Sequence, residues 1–236
     1  MAVELDIPGS AEELYLARGE PVEPWRPLAT GDIFAGPQIP GCSGHELVIV
    51  IAHPCSLRRG IDLVDRIQAL PVAPHQTIAL EHWRGHFRVM PLPDLRGDGT
   101  APYAARLTEF GMVSSTELDL HRRICCLSDL GIVLLQQRFF HNQSRVKVRL
   151  DTLAAASAPV LAEIELWEQW NEVIVEPRVT PGDRPTELLA AEAVAFDELM
   201  RSAHTSGTDL RGALASQVHR TDVRRRVLAA ARERAA

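Results

Sequence analysis

The sequence predicts an α+β protein, with a small β-barrel over residues 29–127 packed with the helices that follow it. Three observations carry this. Short apolar runs separated by Pro, Gly and Asp crowd the first half of the chain. One of them, Leu47 to Ala52, is unbroken and rich in β-branched residues, the pattern of a strand buried on both faces. After residue 128, apolar residues recur at helical rather than alternating spacing.

The elements follow in order. Ala11 to Arg18 is expected as a short helix, with Ser10 as N-cap and Glu13 three residues on. Pro21, Pro24 and Pro27 extend the chain toward Gly31. Strands are expected at Asp32–Phe34, Leu47–Ala52, Ile67–Val72, His86–Met90 and His121–Leu127, with a turn-rich loop over Gln38–Gly44. Ser128 is placed to cap a helix from Asp129 to about Ser144. Arg145 to Leu150 alternates basic and apolar residues, as a strand with one wet face does. Ser157 is placed to cap a second helix reaching Ile174, with Pro159 in its first turn. Its Trp167 and Trp170 are read as core or interface residues.

Residues 176–186 form a Pro-rich linker, dividing a body of residues 1–175 from a helical appendage of residues 187–236. In the appendage, Leu189, Ala193, Phe196 and Met200 make one apolar stripe, a second helix follows near Leu210–Val218, and an arginine-rich end begins at Val223. A protein partner meeting 187–236 is one expectation from this layout; the oligomeric state is left open.

Composition narrows the class. The chain has 236 residues, a formal net charge of −6 and 46% hydrophobic residues, so it has material for a sizeable core and is not a generally basic nucleic-acid coat. The opening MAVELDIPGS has neither the basic nor the apolar region of a secretory signal. No apolar run approaches the roughly 20 residues of a membrane span. Four cysteines, with Cys125 and Cys126 adjacent, suit a reducing cytoplasm better than a disulfide framework.

Several residue groups have the types that chemistry requires. His53-Pro54-Cys55 puts a base and a nucleophile two residues apart, on one side of an extended backbone. Arg58 and Arg59 follow, and cations nearby favour a thiolate. Cys42, His45, His53, Cys55, His75, His82 and His86 have zinc-ligand composition without completing a zinc spacing, so no metal or other cofactor is expected. On the first long helix Arg138, His141 and Arg145 share a face, and Lys147 and Arg149 continue the basic run, a stripe that could receive phosphates. The run Arg220, Arg224, Arg225, Arg226, Arg232 and Arg234 also complements the dipole of a last helix.

Gly31-Asp32-Ile33-Phe34, a Gly-rich loop and the aliphatic strand after it resemble the opening of the PemK/MazF-like toxins, over residues 29–56. The resemblance implies an SH3-like barrel and action on RNA or DNA. Where that family has an Arg-Pro before its second strand, this chain has His45-Glu46, so the family's catalytic arginine and hydroxyl residue have no counterpart here. The expectation that follows is a nucleic-acid-directed protein of bacterial toxin or defence type, read as a metal-independent endoribonuclease. In it His53, Cys55, Arg58 and Arg59 are catalytic, while Arg138, His141, Arg145, Lys147 and Arg149 bind nucleic acid. Two alternatives stand beside it: a non-enzymatic scaffold subunit of a larger complex, and a cysteine-dependent enzyme acting through Cys55.

Overall fold

The computed structural model describes residues 4–19, 23–99, 101–180 and 183–236; the expected extension at Pro21 and positions 181–182 of the expected linker lie outside them. The chain forms two compact units. The first is Met1–Pro24, Leu28–Leu57 and Leu63–Ala156, and the second is Trp25–Pro27, Arg58–Asp62 and Ser157–Ala236.

The strands are β1 (Tyr15–Arg18), β2 (Asp32–Ala35), β3 (Leu47–Val50), β4 (Arg58–Arg59), β5 (Asp62–Leu63), β6 (Arg66–Pro74), β7 (Val89–Leu92), β8 (Tyr103–Arg106), β9 (Gly111–Ser114) and β10 (Arg123–Leu127). Seven follow one antiparallel path, β1-β10-β2-β3-β6-β8-β7; β9 pairs with β6, and β4 and β5 make a separate hairpin. The unbroken aliphatic run thus supplies the central strand of the path. All four residues of β3 are buried. Val48 and Val50 meet Phe34, Ile67, Ala69 and Val113 in one core cluster.

The sheet curls as a half-barrel. Tyr15, on the strand at one end of the path, donates its hydroxyl to the Pro93 carbonyl, just beyond the strand at the other end, at 2.8 Å. Arg18 beside it pairs with Asp94 at 3.1 Å. Inside the seam between β10 and β2, Arg123 and Asp32 form a fully buried ion pair at 2.8 Å. Asp32 also accepts the Ala29 N–H, and Arg123 also donates to the Glu23 carbonyl, so neither charge is left with a single bond.

The helices are α1 (Asp129–Ser144), α2 (Leu150–Ile174), α3 (Thr186–Met200), α4 (Leu210–Ala213) and α5 (Gln217–Ala235). In α1 the Ser128 hydroxyl accepts the Gly131 N–H at 3.1 Å, the cap its position implied. Gly131 is required by close approach, since a Cβ there would overlap the Leu14 carbonyl. In the second unit Leu166, Trp170 and Ile174 of α2 share one core with Phe196, Met200, Leu210, Val223 and Val227. Trp167 stacks on Phe196 at 5.5 Å and Trp170 meets it edge-on at 5.9 Å, so both tryptophans are core residues. Helices on both sides of the expected 176–186 linker therefore bury apolar surface together, and the appendage stripe at Ala193, Phe196 and Met200 is used inside its own unit.

Four local expectations are corrected. Ala11–Arg18 is a single 3-10 turn, Glu12–Leu14, followed by β1. Glu13 reaches back to the Gly9 N–H at 2.8 Å, but eight residues are too few to hold a helix alone, and pairing with β10 satisfies the backbone instead. Arg145–Leu150 is not a strand: Arg145 is a left-handed C-cap with φ +62°, and α2 starts at Leu150. Among the described residues no strand pairs with 146–149, and Val146 is 55% exposed. The second long helix begins well before Ser157, because Leu153 to Ala156 are strong helix formers and one N–H missing at Pro159 does not stop 25 residues. The last helix is longer than expected, α5 taking in Val218 and the whole arginine-rich end.

Candidate functional site

β3 leads into a 3-10 turn, Pro54–Ser56, that His53 caps. The turn follows from the local sequence: Pro54 presets the φ of a first turn position and gives up no needed N–H. His53 Nδ1 accepts the Cys55 N–H at 3.4 Å and lies 2.8 Å from Cys55 Sγ. The base and thiol expected to share a side do so, but through this 3-10 turn and not through the extended backbone that was expected. The Ser56 hydroxyl is 3.9 Å from the same sulfur. Cys55 is exposed while Pro54 and Leu57 beneath it are buried, so an accessible thiol sits on an anchored turn. Burial pushes the His53 imidazole below its usual pKa, which favours the neutral ring.

Arg58 and Arg59 belong to the second unit. There the Arg58 guanidinium lies over the Trp167 ring at 5.0 Å, a packing role for a residue expected to meet a developing charge. Arg59 is exposed on the β4–β5 hairpin.

The basic stripe is not one surface. Arg138 is 1% exposed and donates to the carbonyls of Trp83, His86 and Asp6 at 3.0, 3.0 and 3.1 Å. Burial lowers its pKa to about 10, so it is a charged tie between the 80–86 turn and the N-terminal segment, and no phosphate reaches it. His141 is 4% exposed and packs on the Phe87 ring at 5.0 Å. Arg145, Lys147 and Arg149 remain exposed. Lys147 pairs with Asp6 at 3.1 Å and Arg149 with Asp151 at 2.5 Å. Arg138 and His141 share a face turned toward the 80–87 segment, whose carbonyl acceptors carry no signal in sequence, whereas Arg145 leaves that face as the left-handed C-cap of α1.

The other candidates are also placed. Among the described residues no group of three or more His, Cys, Asp and Glu could hold a metal ion. His45 is buried and accepts the Ile39 N–H at 3.4 Å, and burial lowers its pKa while raising that of Cys42. His75 donates to the Gln76 carbonyl at 2.9 Å. His86 has a pKa lowered by burial and then by the charges of His75, Arg138 and His82. The C-terminal arginines are largely used within their unit: Arg224 pairs with Glu165, Arg225 with Asp222 and Arg234 with Glu192. No helix among the described residues is long and apolar enough to cross a membrane.

Compared with known proteins, the chain matches no family model, no curated protein and no solved structure.

Proposed function

We propose that this chain is a cysteine-dependent enzyme in which Cys55 is the nucleophile and His53 its base. The observation that carries this is the 2.8 Å approach of His53 Nδ1 to an exposed Cys55 Sγ. The thiol proton passes to Nδ1 as Sγ bonds to an electrophilic carbon of a small molecule or protein, and the imidazolium returns the proton to the leaving group. A ring held neutral by burial makes this a base-assisted attack, with the thiolate formed during the step. The test is alkylation of Cys55 by iodoacetamide at pH 7 in the intact protein and in His53→Gln. At least a tenfold faster reaction in the intact protein is expected; equal rates would sink the proposal.

A nucleic-acid-directed role, the one implied by the likeness to the PemK/MazF-like toxins, is the second reading. It is favoured by the exposure of Arg145, Lys147 and Arg149. The surface ion pairs of Lys147 and Arg149 are worth about 1 kcal/mol or less, so phosphates can displace the carboxylates. Binding to RNA or DNA at low salt should then weaken in the triple alanine variant of these residues, with a smaller salt slope. Failure to bind either polymer at low salt removes this reading.

A further inference from the structure

We propose that the loop between α3 and α4 carries a second nucleophile, Ser206, served by His204 and Asp222, and that it takes small carboxylic esters by acyl transfer. The loop is closed tightly. Ala203 and Asp209 form an antiparallel bridge, His204 N–H donates to the Thr208 carbonyl at 2.7 Å, and Gly207 N–H donates to the His204 carbonyl at 3.1 Å. Gly207 sits at φ +86°, a conformation that favours glycine.

Within this turn the His204 side chain is 1% exposed and contacted at both nitrogens. Nε2 lies 3.1 Å from Asp222 Oδ2, and Nδ1 lies 2.7 Å from Ser206 Oγ and 3.1 Å from Ser206 N. The bond from His204, and the charge of Arg225 after it, hold the Asp222 carboxyl below its usual pKa. A carboxylate has no hydrogen to donate, so Nε2 carries the proton and Nδ1 presents a lone pair. The Ser206 hydroxyl, which also lies 3.0 Å from Thr208 Oγ1, thus faces a base that a carboxylate already orients, the order nucleophile, base, orienting acid. The His219 ring packs against His204 at 5.0 Å and 62° and fixes its plane. A ring that only capped the turn would need Nδ1 and the Ser206 N–H; the carboxylate and the hydroxyl go beyond that.

Thr205 to Thr208 are all exposed, so the hydroxyl is open to a small ester. Ser206 Oγ bonds to the carbonyl carbon while its proton moves to His204 Nδ1. The imidazolium, paired with Asp222, gives that proton to the departing alkoxide as the ester C–O bond breaks. Water then attacks the acyl-serine, its proton passing through Nδ1 to Oγ as the acid leaves. The net reaction is hydrolysis, with no change of oxidation state. Ser206 and His204 are the catalytic residues and Asp222 is a positioning residue.

The test uses full-length protein carrying Cys55→Ala, so that the thiol proposed above contributes nothing, with 4-nitrophenyl acetate as probe and mass spectrometry to locate the acetyl group. One acetyl on Ser206 is expected, and none in Ser206→Ala at an unchanged unfolding temperature. Asp222→Asn should slow acetylation at least tenfold, because its amide can donate to Nε2 and turn the N–H of the ring toward Ser206; Asp222→Glu should restore most of the rate. Acetylation only at other residues, or equal rates in parent and Asp222→Asn, would overturn the assignment.

Discussion

Each unit contains a histidine whose Nδ1 meets a nucleophile two residues on: Cys55 Sγ at 2.8 Å from His53, and Ser206 Oγ at 2.7 Å from His204. The local geometry is the same, and in both the ring also accepts the backbone N–H of the residue it faces. The surroundings differ. His53 is partly exposed and its ring is disfavoured as a cation by burial. His204 is buried, with a carboxylate on its far nitrogen. The comparison teaches that one short motif can be tuned in two ways. A thiol, acidic enough to react with little help, needs only a neutral acceptor; a hydroxyl needs a base oriented and supported by a negative charge.

Removing the two rings should separate these cases most clearly. His204→Ala is expected to cost about 2–4 kcal/mol in the second unit, since it opens a buried site, leaves the Ser206 N–H without its partner and leaves Asp222 with Arg225. His53→Ala should cost about 1 kcal/mol in the first unit, the loss of a cap. Native-state amide exchange reads both, with α1 reporting the first unit and α5 the second; equal costs would erase the contrast. A smaller effect is expected from Pro54→Ala, about 0.4–1 kcal/mol by loosening the unfolded chain. The same variant should slow Cys55 alkylation two- to threefold, and an unchanged rate would show that the turn does not preorganise the thiol.

The weakest effects lie in pH dependence. The folded pKa values of His45, His53 and His86 are all lowered, chiefly by burial. The unfolded chain thus binds protons first, and the stability of the first unit should be full above about pH 6.5 and fall as the pH drops toward the lowered folded values. His53→Gln should remove part of that slope. Asp222 has the opposite charge logic: its carboxyl is depressed in the fold, so its contribution is present above about pH 4 and lost as the pH falls through the folded value. Asp222→Asn should therefore flatten only the acid limb of the second unit. Acid unfolding curves that respond to neither variant would mean that these groups are not differentially protonated on folding.

Much of the fold was legible where the signal was local. The strand at Leu47–Val50, the strand at Arg123–Leu127 and the bounds of α1 all follow from runs, caps and periodicity. β8 and β9 were missed because Tyr103–Arg106 and Gly111–Ser114 carry no run of β-branched residues and owe their conformation to pairing with β6. The nearness of His53 and Cys55 was legible because they are two residues apart, although the 3-10 turn that brings them together was not expected. The burial of Arg138 and His141 was not, because the 80–87 segment that covers them is about 50 residues away. His204 to Ser206 repeats the legible spacing, but Asp222 is 18 residues further and only the packing of α5 brings it there.

By itself, then, the sequence determined an α+β chain with a buried central strand, a capped helix after Ser128 and a thiol beside an imidazole. These depend on interactions within a few residues, where the backbone leaves few alternatives. Tertiary structure alone decided that Tyr15–Arg18 is a strand, that Arg138 and His141 face inward, and that Asp222 supports His204. Each of those depends on a distant partner supplying a β-edge, a carbonyl or a carboxylate, and desolvation then makes that pairing the only low-energy choice.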